Sequence, residues 1–294
     1  MIDFFKKSAA YAFGITSAIF AFVPEKVFNV VRWIPAQAMQ KSIVERGISD
    51  IDVDIVITRL LCFVVIWCSA ALFYGGYIIL RRSVKIKGTN YTILVKYGNL
   101  LNEKKCKKVI NFDECYTTQI GQNPWDVKPE SLCGQYLRKE GKNINIQQLI
   151  EKSQIRPEKS VSRFQNKTRF KPGSIIANNE ELLMAFATLD ENGKAKFFTQ
   201  DEYVECLETM WKQIEINSAQ QNVCVPILGS GLTKFEGGNG ASLSQQELLD
   251  LMIWSYKLSP HKVKAPYSLR IICKKRKGFS LNNIDEVGGQ AVLG

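Results

Sequence analysis

Histidine is almost absent from this sequence: His261 is the only one in 294 residues. Cysteine occurs eight times, at positions 62, 68, 106, 115, 133, 206, 224 and 273, yet no two are spaced as CxxC. Structural zinc sites need cysteine and histidine ligands in short-range pairs, so no zinc centre is indicated, and no metal ligand set is assigned. The same scatter gives no disulfide framework. GxGxxG and Walker A signatures are missing, and there is no internal repeat. With 46% hydrophobic and 23% charged residues, the composition excludes collagen and a disordered chain.

Charge is missing from one long stretch. Leu60 to Leu80 runs 21 residues without a charged side chain, with Arg59 before it and Arg81-Arg82 after it. At about 1.5 Å per residue, such a helix spans the hydrocarbon core of a bilayer. Trp67, Tyr74 and Tyr77 supply aromatic rings within it. A second uncharged run, Ser8–Val23, follows Lys6-Lys7 and ends at Pro24. It reads as a membrane helix; a cleaved signal peptide is the competing reading, although Phe22-Val23-Pro24 is a poor cleavage site. Basic residues flank the outer ends of both runs, so both termini are expected on the cytoplasmic side. Val27–Ile43 suits an interfacial amphipathic helix, and the alternation from Asp50 to Ile55 reads as a solvated edge.

The mean hydropathy of −0.09 therefore averages two unlike parts. Residues 1–82 hold nearly all the apolar runs. Residues 83–294 carry 30 basic and 22 acidic groups, a net +8 within the chain's +11. There the pattern alternates between strands and helices. Ser83–Lys87 and Tyr91–Tyr97 are β-rich runs joined by Gly88-Thr89-Asn90, and Lys107–Asn111, Glu181–Leu189, Ala195–Phe198, Asn222–Leu228 and Tyr267–Cys273 read as further strands. Asn145–Ser153 suits a short helix. Thr199-Gln200-Asp201-Glu202 and Ser244-Gln245-Gln246-Glu247 are capping boxes opening longer ones. Val204, Leu207, Trp211 and Ile214 mark the core stripe of the first, and Leu248, Leu251, Met252 and Ser255 share one side of the second. Strands alternating with helices predict an α/β domain with a mixed or largely parallel sheet. Glu151–Lys171 is polar and basic and reads as an ordered insertion or a flexible loop.

Three loops have the residues for ligand chemistry. In Pro226–Thr233 a buried strand runs into Gly229-Ser230-Gly231, followed by Leu232 and Thr233. Glycines let successive N–H groups approach an anion such as a diphosphate, though a plain tight turn has the same residues. Asn111-Phe112-Asp113 ends a strand, offering hydrogen bonds to ribose hydroxyls and a ring to a base; alternatively Asp113 caps the next turn. Ser131, with Cys133 and Gly134 after it, either starts a helix that presents free N–H groups or is an ordinary N-cap. His261, between Pro260 and Lys262, reads as a surface residue.

The Asn-Phe-Asp and Leu-Gly-Ser-Gly-Leu loops resemble those of macro-like domains, the fold that holds ADP-ribose derivatives. With two membrane helices ahead of it, the chain resembles the membrane-anchored macro-like effectors of type II Thoeris antiphage systems. The resemblance implies a three-layer α/β/α macro-like domain with a mixed sheet over 83–294. It would follow a 1–82 region with transmembrane helices at about 8–33 and 60–80. It implies that Gly229, Ser230, Gly231 and Leu232 wrap a diphosphate and that Asn111, Phe112 and Asp113 hold the distal ribose side. Asn99 stands where an acidic residue would read adenine, and its amide oxygen accepts the same bond. No cofactor is implied. The ligand would be an ADP-ribose-derived signal, of the histidine-conjugate type, made by a TIR-domain partner. Binding would drive self-association in a bacterial inner membrane, membrane damage and death of the infected cell. The glycine run of ADP-ribosyl hydrolases is missing, which favours a binding effector over an enzyme. A membrane-tethered hydrolase or NAD-consuming enzyme, with Asp113 as general base, is the alternative. The pI of about 9.2 invites a nucleic-acid reading, but no stacked-aromatic basic motif supports one.

Overall fold

The computed structural model describes residues 2–23, 50–140, 144–153, 155–197, 199–231, 233–235 and 243–284. The chain divides into two compact units, Met1–Arg81 and Arg82–Gly294.

The first unit is two helices, α1 (Ile2–Phe22) and α2 (Asp50–Leu80), which pack on each other. Ser8, Ala12 and Thr16 recur every four residues along α1 and are all buried. Side chains this small let helix backbones approach closely. Trp67 Nε1 donates to Ser8 Oγ at 3.3 Å, and the Phe5–Trp67 and Tyr11–Tyr74 ring pairs extend the contact. Large apolar side chains face outward, among them Phe13, Leu72, Phe73 and Ile79. Within α2, Arg59–Leu80 is long and apolar enough to cross a membrane, with a mean hydropathy of 2.0. Ser8–Phe22 is a shorter apolar helix. Of the expected span over 8–33, the described part is helical to Phe22, and its apolar stretch alone is shorter than a full crossing. Residues 24–33 and the expected interfacial helix at Val27–Ile43 lie outside the described residues. Asp50–Ile55 is helical rather than a free edge.

The second unit is built on a nine-stranded mixed sheet, counted among the described residues. In chain order its elements begin with β1 (Ser83–Lys87), β2 (Thr92–Tyr97), β3 (Cys106–Asp113), α3 (Leu132–Glu140) and α4 (Ile146–Ser153). Then come β4 (Pro157–Val161), β5 (Thr168–Phe170), β6 (Ile175–Asn178), β7 (Glu181–Leu189), β8 (Ala195–Phe197) and α5 (Gln200–Asn217). The last are β9 (Asn222–Pro226), β10 (Lys234–Phe235), α6 (Gln245–Leu258) and β11 (Leu269–Cys273). The strand order is β1-β2-β11-β9-β3-β7-β8-β10, with β6 also on β7. β2, β11, β9, β3 and β7 are mutually parallel, whereas β1, β6 and the β7–β8 pair are antiparallel. β4 and β5 form a separate hairpin inside the basic 151–171 stretch, which is thus partly an ordered insertion.

Alternation along the central strands assigns the two faces. Leu182, Met184 and Phe186 of β7 join one core with α5 and α6, through Leu207, Trp211, Leu248 and Met252. Leu183 and Ala185 join the other with α3, through Tyr136 and Leu137. A parallel strand covered on both faces reads as an unbroken apolar run, as β7 does. The layers are therefore helices, sheet, helices. Both capping boxes form, at Thr199/Glu202 and Ser244/Glu247. Two stripe residues are corrected: Val204 and Leu251 are 38% and 37% exposed, and the buried faces instead include Tyr203, Cys206, Met210, Leu249 and Ile253. A stripe of about 100° spans two or three adjacent rows, so picking one row misplaces it by a residue.

Candidate functional site

Five parallel neighbours end at one edge of the sheet, and loops follow each. In open α/β sheets ligands bind in the crevice at these carboxyl ends. Apart from His261 and the undescribed Leu232, the residues singled out in the sequence fall at this edge or at the start of α3, which the loop after β3 feeds.

Asn111 is half-buried near the end of β3, opposite Met184 of β7. Phe112 is buried, with its ring edge-on to Tyr136 and tilted to Tyr116 at centroid distances of 6.4 and 6.0 Å. The expectation that this ring faces a base is corrected: it is part of the core beneath α3. A register shift between Phe112 and Asp113 moves the pairing on by one residue, so that Asp113 stands opposite Ala187 of β7. Asp113 then accepts from Thr117 N and Thr117 Oγ1, both at 2.7 Å, and from Gln165 Nε2 at 2.9 Å. It caps its own loop and ties the β4–β5 hairpin to it. Glu114, 1% exposed, makes a second tie by accepting from Ser162 Oγ at 2.5 Å, with Arg169 Nη1 at 3.7 Å.

Ser131 Oγ donates to Lys128 O at 2.7 Å and accepts from Gly134 N at 3.0 Å, so it serves as the N-cap of α3. Gly134 is required by contact: a Cβ there would lie 2.2 Å from the Lys128 carbonyl oxygen. Cys133 is buried, and desolvation, with the Asp113 charge adding to it, holds its thiol well above the usual range. Asn111, Phe112, Asp113, Ser131 and Cys133 share one hollow of about 170 Å³. Its remaining wall includes Lys128 and β7 residues Phe186 and Ala187, which nothing in the linear sequence marks. That volume suits a sugar-sized group; a longer ligand must continue along the open edge.

The glycine turn is on the neighbouring strand and does not line that hollow. Its base is fixed in the core: Leu228 O accepts from Tyr203 OH at 3.2 Å, and Leu228 N faces Met252 Sδ at 3.4 Å. Gly229 takes φ +76°, a left-handed conformation that favours glycine. A Cβ on Gly231 would meet nothing within 4 Å among the described residues, so the turn opens outward there. Thr233 is buried, and Leu232 lies outside the described residues. Ser230 O accepts from the Arg276 guanidinium. Asn99, after β2, uses Oδ1 to accept from Leu101 N at 3.1 Å and so caps a short 3-10 turn.

The sequence reading overlooked Lys274-Lys275-Arg276-Lys277, the exposed loop after β11. Four consecutive basic residues after a buried strand were its visible signal. A larger open groove of about 1160 Å³ lies between α4, α5 and the end of α6, by His261. None of the carboxyl ends of the five parallel strands lines it, so size alone does not mark it as the site.

Residues 93–274 match the family model described as Thoeris protein ThsA, Macro domain. A curated Thoeris protein ThsA from Bacillus amyloliquefaciens (strain Y2) is 25% identical over 245 residues, covering 80% of each chain. Solved structures that resemble the chain include an Oceanobacillus iheyensis macrodomain mutant at 9% identity, with a TM-score of 0.41 over 67% of this chain and 91% of that one. The macrodomain of Thermus aquaticus DarG matches at 15% identity, with a TM-score of 0.34 over 63% of this chain and 98% of that one. Since the family match spans more than half of the sequence, the chain belongs to the macro-domain family of Thoeris ThsA proteins.

Proposed function

We propose that the Arg82–Gly294 unit is a receptor for an ADP-ribose-derived signal in a Thoeris antiphage system, with α1 and α2 as its membrane effector. The observation that carries this reading is the outward-opening Gly229–Gly231 turn on β9, beside the ribose-sized hollow at the end of β3. A ligand with a diphosphate at the turn and a ribose in the hollow spans these two neighbouring strands. A TIR-domain partner makes the signal, in the form of a histidine conjugate of ADP-ribose. Binding favours an assembled state by a few kcal/mol, which is what a two-state switch requires. Assembly gathers the α1–α2 pairs and breaches the inner membrane.

Binding without turnover is the favoured mode, because both Asp113 oxygens are occupied within the loop and the Cys133 thiol is held protonated by burial. The test is calorimetry and thermal shift on the detergent-solubilised full chain with ADP-ribose, NAD and the histidine conjugate. The conjugate is expected to bind and to be recovered intact, with crosslinked oligomers appearing only in its presence. The receptor reading fails if none of the three shifts the melting temperature. Gly231→Glu is the matched control. The site has room for the side chain, and the carboxylate repels the diphosphate, so ligand stabilisation is lost while the ligand-free melting temperature stays within about 2 °C.

A further inference from the structure

We infer that the site takes a ligand with a phosphate beyond the diphosphate, a phosphomonoester on its adenosine half, held by Lys274–Lys277; this rests on the ADP-ribose reading above. β11 lies between β2 and β9 in the sheet, so the loop leaving it starts between the end of β2 and the glycine turn. The loop presents four successive cations, all exposed, and none forms an ion pair among the described residues. Like charges this close repel one another, and an anion relieves that repulsion.

The loop is fixed at three points. Lys274 O accepts from Gln245 Nε2 at the start of α6, at 2.9 Å. Arg276 holds the Ser230 carbonyl. Lys275 Nζ stands 5.4 Å from the ring centre of Tyr97, at the end of β2, and that ring packs edge-on against Phe279 at 5.9 Å. These ties split the positive charge into two positions: Arg276 backs the glycine turn, while Lys275 is drawn toward β2. A diphosphate at the turn answers the first and leaves the second unmatched. Asp113 and the ribose-sized hollow lie on the opposite side of β9, at the end of β3. The unmatched charge therefore faces the half of the ligand away from the distal ribose, which is the adenosine half. Lysine acts on phosphate as a point charge, so the loop selects an added phosphate more than its exact geometry.

The test compares ADP-ribose with ADP-ribose 2′-phosphate by calorimetry on the full chain in neutral detergent. The phosphorylated probe is expected to bind at least tenfold tighter, with an advantage that shrinks as salt rises. In Lys275→Gln/Lys277→Gln the ratio of the two affinities should fall below threefold. Equal binding of both probes by the unmodified chain overturns this inference and leaves the receptor reading standing. An equal loss for both probes in the double variant also overturns it, because the lysines then serve the diphosphate. Failure of the unmodified chain to bind either probe overturns this inference, and the histidine conjugate measured alongside decides separately whether the receptor reading falls with it.

Discussion

Asp113 illustrates how one side chain couples three segments. Its carboxylate serves Thr117 twice and Gln165 once, so Asp113→Ala leaves three donors without their acceptor. Each lost bond of this kind costs about 1 kcal/mol, more where the donor stays buried. The expected outcome in denaturant melts is a loss of about 2–3 kcal/mol along with weaker ligand binding. Asp113 is therefore a poor choice for separating binding from folding, and Gly231→Glu is the cleaner one. Gly134→Ala tests a different contact. The added methyl collides with the Lys128 carbonyl, and α3 has to move away from the hollow. A loss of about 1–3 kcal/mol is expected by the same measurement. At this scale the sequence showed where the turns fall but not what their side chains bond. The turn after β3 was visible from Asn111 to Asp113, whereas Gln165 lies 52 positions along the chain from Asp113. Phe112 shows the same limit, since its burial depends on Tyr136 of α3, which no local pattern joins to it.

Elements were more readable than their contacts. The two capping boxes are local chemistry and formed as spelled out: Thr199 Oγ1 accepts from Glu202 N, and Ser244 Oγ from Glu247 N. Thr199→Ala should lower stability by about 1 kcal/mol, read as a shift in the denaturant midpoint with an unchanged slope. The end of α5 carries a contact the sequence did not signal. Glu215 accepts from His261 Nδ1 at 2.7 Å, with Lys264 at 3.9 Å, and so joins α5 to the segment after α6. The hydrogen bond from His261 is the main cause that depresses the Glu215 pKa from 4.5. A depressed carboxylate contributes stability fully above its unfolded value and loses it as pH falls through the lower folded one. Glu215→Gln should therefore be less stable than the unmodified chain at pH 6, and the difference should shrink below about pH 4 in paired thermal melts. The order of strands in the sheet was not readable, because β11 pairs with β2 across about 170 residues of intervening sequence. Periodicity reports which face is buried, not which strand lies alongside.

Across the whole molecule, the uneven spread of apolar residues was the most legible feature, and it separates the two units. The proposed anchoring predicts that the full chain stays with the membrane pellet after carbonate extraction. Leu72→Arg, on an exposed position within the apolar part of α2, should move it to the supernatant. A charge at the centre of a span is disfavoured by about 2.5–3.5 kcal/mol on insertion scales. The sheet order also bears on the making of the protein. β11, the last strand among the described residues, takes a central place between β2 and β9. Until Leu269–Cys273 has been synthesised, β2 and β9 have no strand to join them, and the cationic loop that braces Ser230 does not exist. At about 5–20 residues per second, α1 and α2 leave the ribosome on the order of ten seconds or more before that strand does. On the proposed receptor reading, each nascent copy then has its two N-terminal helices well before it has a finished site, so a signal is answered only by molecules whose β11 is already in place.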